Sequence, residues 1–306
     1  MDFAIKNIVI ATVIFGTILV IIFENRNPVK TIAWCMVLTF MPVIGLLLYI
    51  LFGMDNRHRR QIKDEDLSRL KGITEITQSD DILSEMPVPQ KPLADMLSKM
   101  NKSFLLSGND VEIITDFQTM SDRLIADIEG ARHHINMLFF KFEDDAAGRR
   151  IADALIRKSE EGVLVRLIYD DAGNLMVPRR FYRKLRKHGI QVRGFIRIFL
   201  PILSRDYNSR NHRKVVVIDG RVGYMGGMNI AQRYAEGLKW GIWRDTHMRI
   251  TGPAVSELQT SFLTDWKFTK GDEPDLAPMY PYNPPCGNTL MQIVTGGPMD
   301  KWNAMM

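Results

Sequence analysis

Three side chains close together in the chain could act jointly on a phosphate: His212, Lys214 and, a little further on, Asn229. A His and a Lys two apart lie on the same side of an extended strand, because side chains alternate with period two. Residues 215–218 are Val, Val, Val and Ile, a β-branched run that favours a strand. Asp219 and Gly220 then read as a turn, and residues 221–225 as the return strand that brings Asn229 back beside the pair. Imidazole can attack phosphorus or protonate a leaving oxygen. Ammonium and amide donors neutralise and orient phosphoryl oxygens. This is a kit for attack on a phosphate diester. A lone H-x-K is more simply a hairpin with an incidental histidine. Here the pattern is H-x-K-x4-D-x6-G-G-x-N, with Asp219, Gly226, Gly227 and Asn229 all in place.

The surrounding chain must position these groups. From about residue 108, strand patterns at 111–117, 135–142, 163–169, 190–200 and 246–251 alternate with helical patterns at 120–130, 148–161, 178–188 and 253–266. That alternation predicts an α/β layer fold with a largely parallel sheet and a ligand site at the carboxyl ends of its strands. No internal repeat is visible. The 178–188 helix carries Arg179, Arg180, Arg183, Lys184, Arg186 and Lys187 around the inward Phe181 and Leu185. Such a run is either a solvated face or a headgroup-binding one. The very apolar residues 195–203, flanked by Arg193 and Arg205, are expected either to touch a bilayer or to continue a core strand.

Upstream, residues 7–23 and 31–54 are uncharged apolar runs. A helix needs about 20 such residues to cross a bilayer, and membrane helices tolerate a proline such as Pro42. Residues 1–60 are therefore expected to form a two-helix transmembrane hairpin. Arg57, Arg59, Arg60 and Lys63 follow it and outweigh Arg26 and Lys30 in the loop, which places the C-terminal bulk in the cytoplasm. Residues 61–107 read as a linker, 108–285 as the catalytic domain, and 286–306 as the opening of a second domain. A net charge of +5 and a pI near 9.1 suit anionic partners. Cys35 and Cys286 do not make a disulfide framework, and the six histidines show no metal-ligand spacing.

The full pattern resembles the signature of the phospholipase D superfamily. Further stretches resemble its bacterial cardiolipin synthases: Ala33 and Trp34 with Pro42 to Gly45 and Tyr49 to Gly53, the strand around Phe139 with Glu143, Asp144 and Gly148, Asp171 to Asn174, and Trp243 to His247 with Asp265 and Trp266. Asn174 departs from the serine more usual there. The resemblance implies a phospholipase D-like α/β/α sandwich after the membrane hairpin. It implies a multi-pass enzyme of the inner membrane that joins two phosphatidylglycerol molecules into cardiolipin, without cofactor or metal. By the resemblance His212 forms a phosphohistidine or protonates the leaving group, Lys214 and Asn229 hold the phosphate, and Asp219 supports the fold and a histidine. Its partners would be phosphatidylglycerol and other anionic phospholipids, not nucleic acid. The family pairs two histidines across a pseudo-twofold, whereas this chain has one H-x-K. A second signature domain, opened by residues 290–300, or a homodimer is therefore expected to complete the site. The alternatives are a phospholipase D-type nuclease or phosphodiesterase, and a non-catalytic lipid-binding fragment.

Other polar residues carry weaker expectations. His247 reads as a hydrogen-bonded core histidine or, alternatively, as support for the site, with Asp245 expected to orient it. His133 and His134 read as a solvated turn, and Glu143 and Asp144 as the rim of the pocket or surface.

Overall fold

A computed structural model describes residues 2–23, 28–53, 90–196, 210–239, 241 and 243–296. The expected basic stretch after the second apolar run, the linker up to residue 89, most of the apolar 195–203 segment and the last ten residues lie outside them. The chain divides into two compact units.

In the N-terminal unit, α1 (Asp2–Phe23) is followed by α2 (Pro28–Phe40), α3 (Pro42–Leu48) and a π-helical turn at Tyr49–Gly53. Ile21, Leu38 and Tyr49 are buried together, and Trp34 meets Tyr49 edge-on at 5.5 Å. The outer surface is itself apolar: Ile8, Val13, Phe15, Ile32, Phe40 and Val43 are all exposed. Among the described residues no helix is long and apolar enough to cross a membrane. The second run, expected as one span, is interrupted at Met41. Pro42 lacks an N–H and disfavours helical geometry in the residue before it, and Met41 sits at φ −133°, ψ 69°.

The second unit is built on an eight-stranded sheet in the order β4-β3-β2-β5-β6-β7-β1-β8. The strands are β1 (Leu105–Ile114), β2 (His134–Phe139), β3 (Leu164–Asp170), β4 (Gln191–Phe195), β5 (Val215–Ile218), β6 (Val222–Gly226), β7 (His247–Thr251) and β8 (Thr289–Gln292). Helices α4 (Lys91–Asn101), α5 (Phe117–Gly130), α6 (Ala146–Glu160), α7 (Arg179–Lys187), α8 (Arg233–Glu236) and α9 (Val255–Phe268) complete it. The sheet is mixed, not largely parallel. Only β2–β3 and β3–β4 are parallel, the two pairs of neighbouring strands that a full helical crossover joins; the remaining five pairings are antiparallel.

Alternation along each strand feeds two cores. Val216 and Ile218 join Ile135, Phe139 and Leu167 beneath α5, α6 and α7. Val215 and Val217 join Leu138, Ile168 and Ile250 beneath α9. The sandwich is thus three layers deep, helices covering both sheet faces. The β5–β6 hairpin turns on Asp219 (φ 54°) and Gly220 (φ 64°), the paired positive values of a type I′ turn.

Two expected boundaries shift. Residues 91–107 are part of the folded unit: α4 is held by Gln292, whose amide donates to the Ala94 carbonyl and the Ser98 hydroxyl at 3.0 Å each. Likewise Thr289–Gln292, expected to open a further domain, pairs antiparallel with β1 and forms the eighth strand of this sheet.

Candidate active site

His212 and Lys214 lie just ahead of β5, in the irregular lead-in at residues 211–214 and not within the strand. The alternation of β5 still governs them. Lys214 falls in phase with Val216, on the face of α5 to α7, while Arg213 points the other way and grips Asp265 of α9 with both distances at 2.7 Å. Arg213 also donates to the Gly296 carbonyl at 3.2 Å. The residue between the two chemical groups therefore anchors the lead-in from behind.

This lead-in meets the carboxyl ends of β2, β3 and β6 and the start of β7. Asp170, at the end of β3, is the post on which the loops hang. One of its oxygens accepts the Gly173 N–H and the other the Asn211 N–H, each at 3.0 Å. Burial raises its pKa, and those two N–H groups oppose the rise. Asn174 accepts the Phe142 N–H at 2.9 Å and donates to the carbonyls of Phe140 (2.8 Å) and Asp170 (2.7 Å). Phe140, so fixed, lays its ring 4.6 Å from the His212 imidazole.

Lys214 is buried, with 3% of its surface exposed, while His212 is exposed. The ammonium donates to the His212 carbonyl at 2.8 Å and lies 3.1 and 3.2 Å from the two ring nitrogens. Nearly equidistant from both nitrogens, it lies off the ring plane, because an in-plane approach would collide with Cε1. Burial pushes the Lys214 pKa down to about 8, against the pull of the Asp245 carboxylate. Burial and then the Lys214 charge lower that of His212, again opposed by Asp245. The outcome is an imidazole held neutral beside an ammonium, the states in which an imidazole can attack phosphorus and an ammonium can meet a phosphate.

Asp245 was expected to serve His247. Its electrostatic partners are His212 and Lys214. Pairing of Gly226 with His247 across β6–β7 brings it there, and Gly227 supplies the clearance, since a Cβ at that position would run into the Asp245 carboxylate. His247 is fully buried, as expected of a core histidine. Among the described residues neither ring nitrogen has a hydrogen-bond partner. It stacks on Phe139 at 6.4 Å, and burial drops its pKa to about 4.

Asn229 is brought to the same edge. Its carbonyl oxygen accepts the Lys141 N–H at 3.0 Å and its amide donates to Tyr234 Oη at 2.8 Å, so two of its capacities hold the β2 end and α8. Asp219 is not brought together with the pair. It stands at the far end of β5, where its carboxylate accepts the N–H groups of Arg132, His133 and His134 at 2.8, 2.8 and 2.9 Å. It braces the turn into β2. His134 is no part of a solvated turn: it opens β2, fully buried, 3.3 Å from Gln259, with its pKa lowered by burial to about 4. Glu143 pairs with Arg233 at 2.8 Å and Asp144 with Arg149 at 2.7 Å, a bracing role at the rim.

Sequence reasoning from single motifs missed the roles of Asp170, Phe140 and Arg213. Only for Arg213 was there a signal, the alternation that turns it away from its neighbours.

Residues 124–266 match the family model described as "Cardiolipin synthase, PLD-like domain", and residues 12–53 the one described as "Phospholipase_D-nuclease N-terminal". The chain is 37% identical over 98% of its length to the major cardiolipin synthase ClsA of Bacillus subtilis (strain 168), covering 63% of that protein. It is 36% identical over 91% of its length to a cardiolipin synthase of Oceanobacillus iheyensis, covering 60% of it. The chain thus spans about three fifths of the length of the curated relatives it matches. Among solved structures, the phosphatidylserine synthase of Haemophilus influenzae Rd KW20 aligns at 18% identity over 61% of this chain and 44% of that one, with a TM-score of 0.45. With His212, Lys214 and Asn229 of the signature at one edge of a mixed α/β sheet and these two regions matched, the chain belongs to the phospholipase D superfamily, in its cardiolipin synthase branch.

Proposed function

We propose that the chain carries one half of the active site of a membrane-bound phosphatidyltransferase that makes cardiolipin from two phosphatidylglycerol molecules. The observation that carries this reading is the buried Lys214 ammonium set 3.1 Å from a neutral, accessible His212. In the first step an imidazole nitrogen of His212 attacks the donor phosphorus, and the bond to the glycerol oxygen breaks. That oxygen takes a proton from a second imidazolium, and glycerol leaves. In the second step the now neutral second imidazole removes the proton from a hydroxyl of another phosphatidylglycerol. The oxygen attacks phosphorus and releases His212. Lys214 and the remaining amide N–H of Asn229 meet the charge on the phosphoryl oxygens. Asp219 acts through the fold, not at phosphorus. The assignment of nucleophile to His212 over its partner rests on analogy with the family.

Geometry argues for the second histidine. In-line displacement puts the nucleophile and the leaving oxygen on opposite sides of phosphorus, so one imidazole cannot serve both. Among the described histidines, His134 and His247 are enclosed, with pKa values pushed to about 4. His188 is tied to Glu160 at 2.7 Å on the surface, and His133 stands at the Asp219 end of β5. The proton donor is assigned to a second signature domain or to His212 of a second copy.

The outward apolar side chains of α1 to α3 support insertion of the N-terminal unit in the inner membrane, with the catalytic unit on the cytoplasmic side. The test is to incubate membranes carrying the protein with labelled phosphatidylglycerol and, separately, with single-stranded DNA. Cardiolipin formed only with His212 intact supports the proposal. Cleavage of DNA points to a nuclease, and turnover of neither to a lipid-binding fragment.

A further inference from the structure

The loop after β3, residues 171–177, leaves the sheet at the edge where His212 stands, and it is unusually well braced. Asp170 and Asn174 hold its base through the bonds described above, and the Val177 N–H donates to the Asn174 carbonyl at 2.9 Å. Val177 packs against the core. Yet at the tip Met176 is 95% exposed and Leu175 46%. Singly exposed apolar side chains are ordinary, so the tip alone means little.

The next element supplies an independent observation. Helix α7 carries six cations and no acid in its nine residues. Two of the six are engaged: Lys184 pairs with Asp153 at 3.1 Å, and Arg186 donates to the Val192 carbonyl. Among the described residues no acid pairs with Arg179, Arg180 or Arg183, and all three are exposed. An apolar tip followed at once by a collar of arginines is complementary to a bilayer with anionic headgroups. Apolar side chains enter the acyl boundary while guanidinium groups meet phosphates.

We propose that this loop is a membrane wedge. Leu175 and Met176 enter an anionic phospholipid surface, Arg179, Arg180 and Arg183 bind its phosphates, and the loop's tie through Asp170 to Asn211 sets His212 at the level of the lipid phosphates. The purpose rests on the phosphatidyl-transfer reading; the docking geometry does not. The tie matters because Asp170 holds the loop with one oxygen and the catalytic lead-in with the other, so the depth of the wedge fixes the height of the active site.

The test uses the whole chain, reconstituted in vesicles of phosphatidylcholine or of phosphatidylcholine with phosphatidylglycerol. Cys35→Ala and Cys286→Ser remove the native thiols, and Met176→Cys carries an environment-sensitive fluorophore. Nitroxides attached high on the acyl chains should quench it in phosphatidylglycerol vesicles, more than nitroxides near the bilayer centre, since interfacial groups sit about 5–10 Å deep. Arg179→Glu with Arg180→Glu should abolish the quenching, and phosphatidylcholine alone should give little. A label that iodide reaches and lipid nitroxides do not would overturn the proposal. So would a label shielded from both, which would mean a protein contact, or quenching indifferent to headgroup charge. His212→Ala should leave the quenching unchanged. Insertion without phosphatidyl transfer, even when a second signature domain is supplied, would leave the wedge standing and remove the functional reading; transfer without insertion would do the reverse.

Discussion

The Lys214 ammonium gives the proposed chemistry a pH signature that can be worked out in advance. Its pKa lies at about 8, where an ordinary lysine stays at 10.5. At pH 9 about a tenth of the molecules would keep the charge, against more than about nine tenths for an unperturbed lysine. In kcat/KM, which reports the free enzyme, the imidazolium donor gives the first alkaline loss. Lys214 then gives a second break near pH 8, beyond which the slope steepens from about one to about two decades per unit. On the acid side the sign is opposite. His212 must be neutral to attack, its pKa is lowered, and so the acid limb lies below the usual histidine range. Asp245 raises both groups, so Asp245→Asn should slide both breaks to lower pH, where simple damage to the site would lower the curve without moving it. Lys214→Arg keeps its charge throughout and should erase the second break while costing on the order of 10² in rate through lost geometry. The assay is the initial rate of labelled cardiolipin formation in proteoliposomes between pH 5 and 10. The phosphodiester substrate has no titration of its own in that range. A profile with no second break up to pH 10, or a break that Asp245→Asn leaves in place, would refute the argument.

Three further outcomes follow from the same geometry. His212→Asn should abolish turnover while leaving the unfolding free energy from a urea titration within about 0.5 kcal/mol of the parent, because the ring is exposed; residual activity beyond a few per cent removes it from the chemistry. Asp219→Ala should do the reverse, costing about 1–3 kcal/mol of stability through three orphaned N–H groups while folded protein keeps its kcat; a selective loss of kcat would restore a catalytic role. Arg213→Met should cost roughly 3 kcal/mol by stranding the buried Asp265 carboxylate, and adding Asp265→Leu should recover most of it; a near-neutral single variant in chemical denaturation would mean the clamp holds nothing.

How much of this was legible in the sequence depends on distance along the chain. The His212–Lys214 pair and the Asp219–Gly220 turn are local, and the structure has them where alternation and turn chemistry put them. Strand direction is not local. The period-two pattern of β1 says nothing about its pairing with β7, some 140 residues away, so an expected parallel sheet became a mixed one. The expected linker failed for the same reason, since Gln292 holds a helix that begins at Lys91. In the N-terminal unit, residue count favoured a long second span, whereas the missing N–H of Pro42 ends α2 at Phe40.

The signature itself misleads in an instructive way. Five residues at about 3.3 Å each separate Lys214 from Asp219 by roughly 16 Å, so membership of one motif never required membership of one pocket. The converse holds for Asp245. In sequence it stands two residues before His247, and that nearness invited the idea of a carboxylate serving a neighbour. Asp245 lies in the irregular stretch ahead of β7 and not in the strand, so period-two alternation does not place it beside His247, whereas pairing across β6 and β7 carries it onto Gly227 and from there to the lysine and histidine. The Gly226–Gly227 step enters the sequence reading only as part of the signature pattern. In the folded sheet its second glycine is clearance: any side chain there would displace the one carboxylate whose charge acts on both His212 and Lys214.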